Sequence, residues 1–212
     1  MTRPVLKTNE YAEPRLGRGD WIDAAMEALI SGGVEAVRIT RLAETLSVTR
    51  GSFYWHFEDR DDLLRALRQR WEDTNTPAIR SAVDRKDCLD RAVLGFFDAW
   101  VMPNRFDARL DHAMRAWANL DRDIRKAVEA EDSERINLIA EMFGRFGYPQ
   151  QEAFIRARIL YFAQIGYYAL GIHEPATERL GYLESYYLGF TGRDVDPEIA
   201  SAQRKIYLRE ME

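Results

Sequence analysis

The sequence predicts an all-α protein, and three observations predict it. Apolar residues recur at helical spacing through most of the chain, as at Ile22, Ala25, Met26 and Leu29, which is the stripe of an amphipathic helix. Sustained alternation of apolar and polar residues, the mark of a half-buried strand, is absent. Punctuation falls between the periodic stretches, at Met102-Pro103-Asn104, Gly147-Tyr148-Pro149, Glu174-Pro175 and Gly192. About nine or ten helices are expected, with no internal repeat.

A chain of 212 residues can hold one large core, or a module of about 50 residues followed by a larger domain. With 46% hydrophobic and 31% charged residues, it has the balance of an ordinary globular protein rather than a disordered one. No apolar run approaches the roughly 20 residues that span a bilayer, and Met1 to Glu10 lacks the apolar core of a secretory signal. The expectation is a cytoplasmic protein with no membrane partner. Cys88 is the single cysteine, so no intrachain disulfide can form, and the residue reads as a small hydrophobe.

Residues 1–17 hold Pro4, Pro14 and mixed charge without periodicity, and read as a flexible arm. Its Arg3, Lys7 and Arg15, with Arg18 beyond, either fray into solvent or touch an anionic partner. The first helix follows Asp20 and stops at Gly32-Gly33. A short helix from about Thr40 to Leu46 comes next, with Thr40 placed to cap it. Only Ser47 and Val48 separate it from another, from about Thr49 to His56, so the connection is a tight turn. Ser47 stands where a left-handed backbone is expected, at a penalty of roughly 1 kcal/mol. Acids at Asp59, Asp61 and Asp62 suit the start of a fourth helix, whose apolar face is Leu63, Leu64, Leu67 and Trp71. It is expected to reach Thr74 and to break or kink near Pro77. Further helices are expected near Cys88 to Val101, Ala108 to Asn119, Arg122 to Phe146, Gln151 to Gly171, Ala176 to Phe190 and Pro197 to Arg209.

The pair of short helices carries the functional signal. Two helices that cross closely need a small residue at the crossing, and Ala43 is placed for it. Leu42, Leu46, Val48, Phe53 and Phe57 can share a core with the first helix. Thr49, Arg50, Ser52, Tyr54 and His56 are then left outside. Tyr54 and Trp55 are adjacent, so at 100° per residue they cannot both be buried beside Phe53 and Phe57. Phosphate and sugar are good partners for a tyrosine hydroxyl, an indole N–H and an imidazole. The net charge of −5 opposes nucleic-acid binding in bulk, but Arg38, Arg41, Arg50 and His56 make this one stretch locally basic.

The run Gly33 to Phe57, with Tyr54-Trp55-His56-Phe57 at its centre and Glu58 to Leu64 behind it, resembles the DNA-binding domain of the TetR family of bacterial regulators, over about Gly19 to Leu67. Ser47 stands for the usual Gly, Arg38 for a common Thr, and Arg60 for the usual Lys. The resemblance implies a three-helix helix-turn-helix domain over residues 18–65, and a larger helical effector-binding and dimerisation domain over 66–212. It implies base-edge contact from Arg50, Gly51 and Ser52, with Thr40 and Arg41 as additions. Phosphate contact is implied from Thr49, Tyr54, Trp55, His56 and Arg60. An arginine there can offer guanine O6 and N7 a bidentate pair, worth roughly 1–3 kcal/mol of discrimination.

In the family, the last two long helices pair with their two-fold mates in a four-helix bundle. The matching apolar positions here are Phe154, Ile159, Phe162, Gly166, Leu180, Leu183 and Tyr187; the alternative is that they are intramolecular core. The helices between enclose an inducer pocket in the family. That implies an apolar or aromatic effector, with Trp100, Trp117, Tyr161, Phe97 and Met114 as candidate lining. The expectation is a repressor that binds a palindromic operator in double-stranded DNA as a homodimer and is released by a small molecule. No enzyme, metal or cofactor is expected. There is no Gly-rich phosphate loop, His-Glu-x-x-His or serine elbow, and Asp107, Asp111 and His112 read as a solvated polar face. A DNA-binding protein without an effector is the alternative, favoured by a sealed C-terminal core and opposed by a cavity of several hundred Å³.

Overall fold

The computed structural model describes residues 16–84, 87–101, 105–172 and 174–210. Among these the regular structure is helical: α1 Arg18–Gly32, α2 Ile39–Thr45, α3 Arg50–Phe53, α4 Arg60–Val83, α5 Leu89–Val101, α6 Ala108–Ala118, α7 Arg122–Arg145, α8 Gln150–Ala169, α9 Ala176–Gly181, α10 Leu183–Thr191 and α11 Pro197–Glu210, with a 3-10 turn at Val34–Ala36. The all-α reading therefore holds. The chain divides into two compact units, Met1–Leu67 and Arg68–Glu212. Of the arm expected at residues 1–17, the first fifteen lie outside the described residues. No helix among the described residues is long and apolar enough to cross a membrane.

In the first unit α1 opens where the Asp20 carboxylate accepts from the Gly17 N–H at 2.6 Å, satisfying one of the free donors at a helix start. It closes at Gly33, whose N–H reaches Leu29 O at 2.9 Å and whose φ of 71° turns the chain out of the helix beyond it. The helix buries Trp21, Ile22, Ala25 and Leu29. Against them stand Leu42 and Ala43 of α2, Phe53 of α3, and Phe57 just beyond it, all buried. Trp21 meets Phe53 edge to face at 5.2 Å, and Phe53 stacks on Phe57 at 5.3 Å.

The second unit packs α5 to α11 and the later turns of α4 around one core. Phe96 and Trp100 of α5, Ile139 and Phe143 of α7, Leu160 of α8 and Tyr207 of α11 belong to it. At one place the core is polar. Asp111 of α6, 2% exposed, accepts from Trp71 Nε1 at 3.0 Å, Arg135 Nη1 at 2.8 Å and Arg115 Nε at 2.9 Å. Arg115 also grips Asp132 with two donors at 2.8 and 2.6 Å, and the Tyr161 hydroxyl donates to Asp132 at 2.7 Å. Burial pushes the Asp111 carboxyl up, but Arg135, Arg115 and the Trp71 donor outweigh it and hold the group below the usual carboxylate range. Burial also raises Tyr161, so its hydroxyl stays a donor.

Four local expectations are corrected. Thr40 does not cap α2: Arg38 takes the N-cap position without a side-chain bond, and its carbonyl accepts from Leu42 N at 2.9 Å. The helix expected over Thr49 to His56 is regular only at Arg50–Phe53, and continues as tight turns such as His56 N to Phe53 O at 2.9 Å. The fourth helix runs through Pro77 to Val83. A proline removes one ladder bond, whereas Asn75, Thr76, Ile79, Ala82 and Val83 all gain burial by continuing. Finally, Ala176 to Phe190 is two helices with a break at Tyr182, just after Gly181. There Arg204 Nε of α11 takes the Leu180 carbonyl at 3.2 Å, and glycine holds a helix poorly.

Candidate nucleic-acid interface

The turn between α2 and α3 sets the geometry of the first unit's outer face. Ser47 has φ +56°, the only positive φ outside glycine among the described residues. That turn brings Val48 N to within 2.9 Å of Ala43 O, so only residues 46–49 join α2 to α3, and the small side chain of Ala43 is buried. The strain of about 1 kcal/mol is offset by the packing that follows the turn, where Phe53 meets Trp21 and Phe57 stacks on Phe53.

With those two rings turned inward, their neighbours turn outward. Trp55 is 86% exposed and Tyr54 54%. Arg50, Gly51 and Thr49 are exposed, while Ser52 and His56 are half-buried. Ser52 Oγ donates to Thr49 O at 2.9 Å, which leaves the hydroxyl's lone pairs as acceptors. Thr40 and Arg41 are exposed on α2. Trp55 and Tyr54 thus form an adjacent pair of exposed aromatic side chains beside Arg50 on this face.

Two positions are instructive. A Cβ at Gly51 would meet only Thr49 Oγ1, at 3.6 Å, which is ordinary contact; the unit's own packing does not require glycine there. Arg60 behaves differently from the other polar positions. Its Nε donates to Val37 O at 2.7 Å and its Nη2 to Val34 O at 2.6 Å, so two donors hold the segment that leads into α2. No local pattern around Arg60 signals that role, because the carbonyls concerned lie more than twenty residues away.

In the second unit a cavity of about 370 Å³ opens between α5, α8, α9, α10 and α11. Of the residues considered for effector contact, Phe97 stands in its wall. Trp100, Met114, Trp117 and Tyr161 are buried elsewhere in the core. Sequence reasoning missed Gln164, Tyr167 and Arg179, which also line it. Their signal was faint, since a polar residue on an amphipathic helix ordinarily marks the solvent side.

The residues considered for dimer contact fall into three groups. Phe154, Ile159 and Phe162 are exposed on α8, at 40%, 50% and 46%. Gly166, Leu180 and Leu183 line the cavity. Tyr187 is buried, with its hydroxyl donating to Asp90. The considered trio of Asp107, Asp111 and His112 does not converge: Asp107 caps α6 by accepting from Leu110 N at 2.9 Å, Asp111 sits in the ion network, and His112 is exposed.

Residues 22–67 match the family described as bacterial regulatory proteins, tetR family. The HTH-type transcriptional regulator TtgR of Pseudomonas putida is 31% identical over 106 residues, which is 48% of this chain and 50% of TtgR. The chain thus spans about half the length of this relative. Among solved structures, the reduced form of E. coli NemR is similar with a TM-score of 0.58 at 15% identity, over 79% of this chain and 96% of that one. A transcriptional regulator from Rhodococcus sp. is similar with a TM-score of 0.50 at 17% identity, over 92% and 95%. At such identities the likeness is one of fold.

Proposed function

We propose that this chain, whose residues 22–67 match the tetR family of bacterial regulatory proteins, belongs to that family and is a cytoplasmic, ligand-responsive transcriptional repressor that binds a palindromic operator as a homodimer. The observation that carries the proposal is the outer face of α3 and of the turns that follow it. Arg50, Gly51, Tyr54 and Trp55 all stand in solvent there, while Phe53 and Phe57 hold the segment from behind.

In this reading Arg50 offers its guanidinium to a guanine edge in the major groove. Gly51, free of any packing duty, lets the backbone approach the bases, and Ser52 reads less selectively. Thr40 and Arg41 add contacts from α2. Thr49, Tyr54, Trp55 and His56 hold the phosphates that fix register. Arg60 adds positive charge beside them while it holds the Val34–Val37 segment.

One such face reads few base pairs, so specificity calls for two copies about 34–36 Å apart on one duplex. The exposed apolar stripe of α8 supports self-association, since large unpartnered apolar patches are uncommon on monomers. The cavity in the second unit supports a small-molecule effector. Such a molecule can shift the protein between states only by its differential affinity for them.

The test is selection of duplexes from a random pool by the full chain, followed by anisotropy titration. Selected sites are expected to show two-fold symmetric half-sites. Arg50→Ala is expected to relax one base position in each half-site, and Tyr54→Phe to weaken all sequences about equally. Recovery of no common sequence, or uniform weakening by both changes, overturns the direct-readout assignment.

A further inference from the structure

The cavity of the second unit encloses about 370 Å³, within the range of about 300–1,000 Å³ usual for small-molecule sites. Most of its wall is aliphatic or aromatic, with Phe97, Leu180, Leu183, Tyr186 and Phe190 prominent. Two polar features narrow the chemistry of its occupant.

The first is Gln164 of α8. It lines the wall, is 6% exposed, and its Nε2 is buried with no hydrogen-bond partner. A buried amide donor without an acceptor is costly, and an oxygen carried in by a ligand offsets that cost. The second is the charged edge formed by Arg179 and Glu174, both in the wall. The Arg179 guanidinium lies 4.4 Å from the Tyr167 ring centroid, and the Tyr167 hydroxyl donates to Glu174 Oε2 at 3.3 Å. One ring thus holds a cation on its face and an anion at its hydroxyl. Their fields oppose, so the edge offers an ion little net attraction, while the flat Tyr167 and Tyr186 rings favour an aromatic guest.

We infer that this cavity binds an uncharged aromatic molecule of about two rings that carries a carbonyl-type acceptor, with Gln164 Nε2 as the donor that recognises it. The inference rests on the ligand-responsive reading above and names the class of effector. Gln164 is the specificity-determining residue, and the aromatic walls supply the bulk of the affinity.

Benzophenone and diphenylmethane share a two-ring frame and differ by one carbonyl. Calorimetric titration of the full chain with each is expected to show benzophenone binding about tenfold more tightly, equivalent to ~1.4 kcal/mol. Gln164→Leu is expected to bring benzophenone down to the level of diphenylmethane and to leave diphenylmethane unchanged. Gly166→Leu grows a side chain from the cavity wall where an added Cβ meets nothing within 4 Å. It is expected to abolish both bindings while the helical circular dichroism stays intact. Equal affinities in the unaltered protein, or a preference that survives Gln164→Leu, overturns the inference. If neither probe binds while the selected operator duplex still does, the inference falls and the DNA-binding reading stands; if no duplex is bound, that reading is the one that fails.

Discussion

Replacing Asp111 by Asn removes one charge and almost no volume from the centre of the second unit. The carboxylate is 2% exposed and accepts three hydrogen bonds, two at Oδ1 from Trp71 and Arg135 and one at Oδ2 from Arg115. Asn has one acceptor oxygen. Its better orientation keeps that oxygen toward Trp71 and Arg135 and turns the amide NH2 against Arg115 Nε, donor facing donor, at about 1–3 kcal/mol. Arg115 keeps its two bonds to Asp132, but Arg135, 0% exposed, loses the nearer of its two anions and keeps only Glu131 at 3.9 Å. The sum is expected near 3–5 kcal/mol, the usual cost of breaking a buried ion pair from one side.

Urea unfolding followed by tryptophan fluorescence measures it. With a slope of about 1–3 kcal/mol per molar, the midpoint should fall by about 1 M or more. Asp111 titrates below its ordinary value because Arg135 and Arg115 outweigh its burial. Its contribution is therefore complete above the unfolded-state value, about 3.9, and is lost as pH falls below that. The Asn variant should lack this part of the acid limb. A loss under about 1 kcal/mol, or acid limbs of the same shape in both proteins, would refute the argument that the network carries stability.

Two further predictions concern binding. Gly51→Ala puts a methyl group where only Thr49 Oγ1 lies within reach, at 3.6 Å, so thermal stability should hold or rise by up to about 1 kcal/mol while affinity for the selected duplex falls; unchanged affinity in an anisotropy titration would show that nothing approaches this backbone. Phe162→Glu places a charge in the exposed apolar stripe of α8, where the side chain is 46% exposed, and should shift the sedimentation profile from dimer to monomer with little change in helical content. A dimer that persists would locate self-association elsewhere.

How legible the protein was varies by element. Periodicity together with the punctuation between stretches placed α1, α6 and α7 close to their observed bounds, because each presents an apolar stripe to a core. The outward aromatic pair was legible for the same reason: Phe53 and Phe57 are four residues apart, and a helical turn cannot bury Tyr54 and Trp55 beside them. The helix across Pro77 was not legible. Local propensity argues for a break there, and only the burial of Asn75 to Val83 outweighs it. Asp111 looked like a solvated acid, because its partners Trp71 and Arg135 lie forty residues before it and twenty-four after.

The sequence by itself determined the helical class, the tight turn at Ser47 and the side chains that face outward around it, since all of these follow from spacing over a few residues. Tertiary structure decided which polar groups are buried, which carbonyls the arginines hold and which aromatics wall the cavity. Those outcomes depend on residues far apart in the chain meeting in a medium of low polarity, where an unpaired charge or amide is costly and a paired one is kept. No local pattern encodes that meeting.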